Sequence, residues 1–172
     1  MATFISEGNI RIRGKRPNII RFLQEELVPV YELQDGLTEE RPIHLENNCG
    51  GWTLVLKRDP DTSTSVYFKG SDQYRIVMDD TETEISFSAK TNTRDDQVIC
   101  LDNYEGPWSP NYDFLREKAM KYKVDIRIFS WDKNAWSSIQ TWYRNGDIEE
   151  STRKYEDFLW DCPYPEYGEG YY

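Results

Sequence analysis

The spacing of hydrophobic residues changes period several times along this chain, and each change predicts an element. Between Phe4 and Arg13 apolar and polar residues alternate. Ile10 and Ile12 fall on one side, Arg11 and Arg13 on the other, which predicts a half-buried strand ended by Gly14. Pro17 suits the first turn of a helix in which Ile20, Leu23 and Leu27 form one face, and Pro29 is expected to stop it. Residues 31–50 are acidic and rich in turn formers (Gly36, Pro42, Asn47, Asn48, Gly50), and predict a loop. Alternating runs follow. Residues 52–57 place Trp52, Leu54 and Leu56 on one face, and residues 64–69 and 73–78 read as two more strands. Residues 82–89 direct Ile85, Phe87 and Ala89 inward and Glu84, Ser86 and Ser88 outward. Asp59-Pro60-Asp61, Asp79-Asp80 and residues 92–97 supply turns.

In residues 98–131 the local signals agree best. Val98 to Leu101 is apolar and strand-prone, and Gly106-Pro107 is expected to break the strand. Ser109 can cap a helix with Pro110 at its first position; Phe114, Leu115, Ala119 and Tyr122 then recur at helical spacing. From Val124 the period becomes two, with Val124, Ile126 and Ile128 on one face and Asp125 and Arg127 on the other. Beyond Trp131, residues 136–143 and 147–155 flank Asn145-Gly146, which predicts a hairpin with a type I′ turn. The second of these strands is polar on both faces and is expected at an exposed edge. The whole reads as one domain, with residues 1–131 as core and 132–172 as a C-terminal hairpin and acidic aromatic tail.

Charge narrows the function. The chain of 172 residues has 31 acidic against 21 basic side chains, a formal net charge of −10. Nucleic-acid binders show the opposite balance, because phosphates are neutralised by clustered Lys and Arg. The one basic run, RIRGKR at 11–16, is short and reads as a solvated edge. Cys49, Cys100 and Cys162 stand far apart, which suggests neither a zinc knuckle nor a redox pair and points to a reducing cytoplasm. No apolar signal segment or membrane-length run is present, so a cytoplasmic location, in a host cell, is expected.

The order strand, helix, several strands, helix, strand suggests an α+β fold. It would be a ferredoxin-like sandwich, mainly antiparallel, with two helices on one face, enlarged by inserted strands and the C-terminal hairpin. Gly106-Pro107-Trp108-Ser109-Pro110, the helix after it and VDIRIFSW at 124–131 resemble the ferredoxin-like domain of the Api-like proteins of phages, plasmids and pathogenicity islands. In that family a Trp-Ser-Pro motif opens the second helix and a strand ending in an aromatic follows. NIRIRGKRPNIIRFLQEEL at 9–27 is similar in kind to the family's opening. The likeness is clearest over 97–146 and faint over 29–80, and the hairpin partner strand and the tail depart from it. It implies a mobile-element origin and carries over no catalytic residues.

Catalytic chemistry finds little support. His44 is the one histidine, and Cys49 is the near nucleophile it could activate; the plainer reading is a loop histidine and an idle thiol. No dinucleotide, P-loop, zincin or nucleophile-elbow motif occurs, and no cofactor, catalytic residue or metal ligand is nominated. Two acidic clusters stand out: Asp79, Asp80, Glu82 and Glu84, and then Asp147, Glu149, Glu150, Glu156, Asp157 and Asp161. Their bland reading is a solvated face that keeps the protein soluble. The sharper one is that carboxylates at strand spacing stand in for phosphates and occupy a basic groove. Trp131, Trp136, Trp142 and Trp160 belong mostly to a core, while any exposed one, with Trp136 and Trp142 as candidates, would anchor an interface. The expected function is therefore anti-CRISPR-like inhibition of a host nucleic-acid-handling defence protein with a basic groove, without direct nucleic-acid or membrane contact. The rivals are a carboxylate–metal enzyme, such as a nuclease or modifier, and an oligomerising accessory protein.

Overall fold

The computed structural model describes residues 5–48, 53–87, 96–107, 112–131 and 136–154. The alternating segment near the N-terminus forms β1 (Ile5–Gly14), with Ile10 and Ile12 fully buried. It is followed by α1 (Arg16–Glu26), β2 (Leu27–Glu32), β3 (Thr38–Glu40), β4 (His44–Asn48), β5 (Thr53–Lys57), β6 (Ser65–Phe68), β7 (Arg75–Val77) and β8 (Glu82–Ser86). Then come β9 (Gln97–Pro107), α2 (Tyr112–Tyr122), β10 (Asp125–Trp131), β11 (Trp136–Trp142) and β12 (Ile148–Lys154). Nine strands form one antiparallel sheet in the order β12-β11-β10-β1-β9-β7-β6-β2-β3; β4-β5-β8 form a second, three-stranded sheet.

Register explains the core. Ile10 stands opposite Ile128 and Leu101, and Ile12 opposite Ile126 and Ile99, so three strands present one apolar face. Both helices lie on that face and touch each other. Phe22 of α1 meets the Tyr122 ring edge-on at 5.4 Å and Phe68 of β6 at 6.0 Å. Tyr74 stacks on Phe114 of α2 at 4.9 Å. Leu54, Leu56, Ile85 and Phe87 of the smaller sheet and its flank join the same cluster. The close approach of β1 to β10 requires Gly8, since a Cβ there would sit 1.8 Å from the Phe129 carbonyl oxygen.

The described residues form an α+β fold with two helices and a large antiparallel sheet, as the element order implied. Several local expectations need correction. Pro29 does not merely stop α1; it lies inside β2, opposite Val66. Its carbonyl accepts from Arg41 N at 2.9 Å, and its missing N–H forfeits only the return bond at the end of the β2–β3 ladder. The presumed loop at 31–50 holds the end of β2, all of β3 and β4. Nor does Gly106-Pro107 break β9, which runs on to pair Pro107 with Ile5. The basic run is no solvated edge, because Arg11 is buried and Arg13 is ion-paired on a central strand.

The hairpin β11–β12 forms where Asn145-Gly146 predicts it, but its turn is not type I′. Gly146 has φ +94° while Asn145 stays on the negative side. Gly146 N donates to Tyr143 O and Tyr143 N to Asp147 O, the pattern of a type I turn closed by a left-handed glycine. Gly36, with φ +79°, closes the β2–β3 hairpin through the same two bonds, between Leu33 and Leu37. In both turns the residue before glycine caps the one after it: Asp35 Oδ1 accepts from Leu37 N, and Asn145 Oδ1 from Asp147 N. Trp52, Ala89, residues 92–95, Trp108, Ser109 and Pro110 lie outside the described residues.

Candidate partner-binding surface

The C-terminal hairpin is anchored by one arginine. Arg144, in its turn, donates through its backbone N to Asp125 Oδ1 at 2.9 Å. Its guanidinium reaches Asp125 Oδ2 at 3.0 Å and Asp96 Oδ2 at 2.8 Å, and Arg13 Nε donates to Asp125 Oδ2 at 2.9 Å. Burial pushes the Asp125 carboxyl up, but the bonds from Arg144 and Arg13 outweigh it and hold the group below its ordinary value. A carboxyl depressed in the folded state contributes stability that is complete above its unfolded pKa, about 3.9, and is lost as pH falls through the folded value. Arg144→Ala is therefore expected to cost about 1–2 kcal/mol at neutral pH. That difference should shrink below about pH 4, as urea titrations across the acid range would show.

With Arg144 engaged inward, the hairpin presents carboxylates outward. Asp147, Glu149 and Glu150 are exposed. Each is steadied by a neutral donor: Asn145 Nδ2 to Asp147 at 3.0 Å, Tyr143 OH to Glu149 at 2.7 Å, and Tyr112 OH to Glu150 at 2.6 Å with Gln140 Nε2 at 3.2 Å. These donors leave the negative charges in place, although Arg127, across Thr141 in the same row, also attracts Glu149. The bond to Glu150 pushes the Tyr112 phenol up to about 12, and the bond to Glu149 raises that of Tyr143. Strand alternation sets Asp147 and Glu149 on one face and Glu150 on the face of α2. Among the described strands β12 closes one end of the large sheet, as its two polar faces suggested.

Trp142 is no surface anchor. It is fully buried, 6.2 Å from the Tyr112 ring, because its register opposite Ile126 turns it under α2. Trp136 begins β11, and its side chain lies outside the described residues, as do Trp131's side chain and Trp160, Glu156, Asp157 and Asp161.

The first acidic cluster lies elsewhere. Asp79 and Asp80 are exposed just after β7, which stands five strand spacings from β12, roughly 24 Å away. Arg58 fixes that turn by donating to the carbonyls of Met78, Thr62 and Asp79 at 3.0–3.2 Å. Glu82 is partly neutralised by Lys57 at 3.2 Å, which Glu46 shares at 2.9 Å, while Glu84 is exposed opposite Val55. The two clusters thus form no continuous ribbon.

Two polar assemblies escaped the sequence reading. The first is a groove of about 620 Å³ where β1, β7 and β9 meet, which gathers Glu7, Asp79, Asp102 and Glu105. Register sets Glu7 directly opposite Glu105, and Arg75 offsets that repulsion at 2.7 Å from Glu105. The second joins the helices: buried Lys118 of α2 donates to buried Glu26 of α1 and to Lys69 O at 2.9 Å. Tyr122 OH lies 2.5 Å from Glu26 Oε1 and 2.8 Å from Glu25 Oε2. Burial, then the bonds to these two carboxylates, push the Tyr122 phenol up. Lys118 sits on the apolar stripe of α2 and was visible there, but α1 buries Ile19, Phe22, Leu23 and Glu26 rather than the expected face of Ile20, Leu23 and Leu27, so Glu26 was not.

His44 is exposed on β4 with Asp59 at 3.8 Å, and Cys49 lies outside the described residues. Cys100 is buried, and burial with the nearby Asp102 charge pushes its thiol up to about 12. Thiol reagents are expected to modify Cys100 in the native chain at least about a hundredfold more slowly than in denaturant, a contrast readable by mass spectrometry. Among the described residues no three His, Cys, Asp or Glu side chains are grouped to hold a metal ion, and no helix is long and apolar enough to cross a membrane. Compared with known protein families, curated proteins and solved structures, the chain matches none.

Proposed function

We propose that this chain acts by binding: it occupies a basic nucleic-acid groove of a host defence protein and inhibits it, in the manner of an anti-CRISPR protein. The observation that carries the reading is the hairpin β11–β12. The arginine of its turn is consumed by Asp125 and Asp96 while Asp147, Glu149 and Glu150, at the turn end of the hairpin, face solvent and accept from neutral donors; Arg153 and Lys154 lie at the far end of β12. Asp147 and Glu149 recur at the same-face strand spacing of ~6.8 Å, comparable to the step between successive phosphates of one strand. A positioned row of this kind steers a basic partner and raises its on-rate more than its final affinity. The acidic groove at Glu7, Asp102 and Glu105 adds a second place where a cationic side chain is favoured.

The mobile-element origin rests on the resemblance to Api-like proteins over 97–146. The strand order β10-β1-β9 supports reading the core as ferredoxin-like, with β7 and β6 then inserted between β9 and β2, the strand that follows α1. The test is capture from bacterial lysate by the tagged chain, with and without nuclease. A nuclease-resistant partner with a basic groove supports the proposal; capture only through nucleic acid, or of no such protein, overturns it.

A further inference from the structure

We infer that β12 pairs antiparallel with β12 of a second copy of this chain, about a two-fold axis through Ser151. Among the described strands β12 has a neighbour only on its β11 side, and it runs seven residues without proline, long enough to template another strand. The phase of the ladder is fixed by Tyr143 N donating to Asp147 O at 2.9 Å. Residues 149, 151 and 153 therefore direct their backbone groups to β11, opposite Thr141, Ile139 and Ser137. Residues 148, 150, 152 and 154 direct theirs to the outer side.

Two antiparallel copies sharing one continuous sheet, with their faces matched, must pair residues of equal parity. Centred on Ser151, the register uses the whole strand. Ile148 meets Lys154 and Glu150 meets Thr152 of the second copy, all residues whose backbone groups face outward. Glu149 then stands opposite Arg153 of the second copy at a non-hydrogen-bonded register position, so the sequence sets opposite charges across the axis. Symmetry makes that pairing twice. The alternatives are poorer: centring on Glu150 sets two like charges directly opposite each other, and centring on Thr152 pairs Glu150 with Lys154 but leaves Ile148 and Glu149 without partners on β12 and shortens the ladder. The sequence IEESTRK, acidic in its first half and basic in its second, is thus complementary to itself read backwards.

The two readings share Glu149, which the dimer would engage while Asp147 and Glu150 stay outward; a monomer that captures a basic partner would overturn this inference and leave the effector reading intact. Sedimentation velocity on the full chain at micromolar concentration is expected to show a dimer. Glu149→Arg and Arg153→Glu each set like charges opposite across the axis and are expected to weaken it about tenfold or more, with circular dichroism unchanged. Mixed in equal amounts, the two variants should form a heterodimer, because arginines of one copy then meet glutamates of the other. The double variant should dimerise like the native chain. A native chain that stays monomeric, a dimer indifferent to both reversals, or single variants that no mixing rescues would each overturn the inference.

Discussion

Lys118→Met is expected to destabilise the chain by about 3 kcal/mol, and no other single change on the helix surfaces should cost as much. The reason is the asymmetry of buried charge. Lys118 and Glu26 are both buried between α1 and α2, and removing one leaves the other desolvated. The loss falls at the low end of the range for broken buried pairs, because Tyr122 OH and, at 3.7 Å, Lys121 still face Glu26. Replacing both members, Glu26→Leu with Lys118→Met, removes the uncompensated charge and should cost far less than the two single changes added together. For a chain of this size about 3 kcal/mol corresponds to roughly 6–12 °C in melting temperature, well within reach of calorimetry. Equal losses for the single and double variants would mean that packing, not charge, holds the helices together.

The second large effect concerns binding. Asp147→Lys with Glu150→Lys reverses two exposed carboxylates and leaves Glu149 in place. Affinity for a basic-groove partner should fall about a hundredfold, since like charges brought together at an interface cost several kcal/mol. Most of the loss should appear in the association rate, and raising the salt should narrow the gap between native and variant. Neither residue contributes to the core, so folding is expected to be unaffected. A variant that binds as the native chain does, at low salt, would place the contact elsewhere.

What the sequence disclosed and what it hid divide along physical lines. β1, β10 and α2 were legible because one of their faces is apolar and the other polar, so period alone identified them. β3 was hidden: Thr38, Glu39 and Glu40 are all exposed, and the strand exists because the turn at Gly36 folds it back onto β2. Pro29 misled because its cost depends on which side of the strand its nitrogen faces, and only the ladder order decides that. Trp142 was a candidate anchor only because sequence alone does not show which tryptophans a sheet buries, and its neighbours Ser138, Gln140 and Thr141 are polar. Ser138 and Gln140 are buried on the same face as Trp142, and Thr141 is buried on the other face, where Arg127 Nε donates to it at 2.7 Å. The acidic hairpin was legible as charge, yet the sequence did not show that Arg144 is withdrawn from it. That depends on Asp96 and Asp125 lying beside the turn, contacts across 48 and 19 residues of chain. The acidic groove was unreadable for the same reason, since register brings Glu7 to Glu105 from opposite ends of the sequence.

An acidic hairpin that occupies a basic groove must compete there with nucleic acid. The most direct measurement is displacement: a captured partner is loaded with a fluorescent nucleic acid, and the chain is titrated in while anisotropy is followed. The native chain should release the nucleic acid in a saturable, salt-sensitive manner, and the Asp147→Lys, Glu150→Lys variant should release little at the same concentrations. Retention of the nucleic acid by a partner fully occupied by the chain, or equal displacement by native and variant, would contradict that competition.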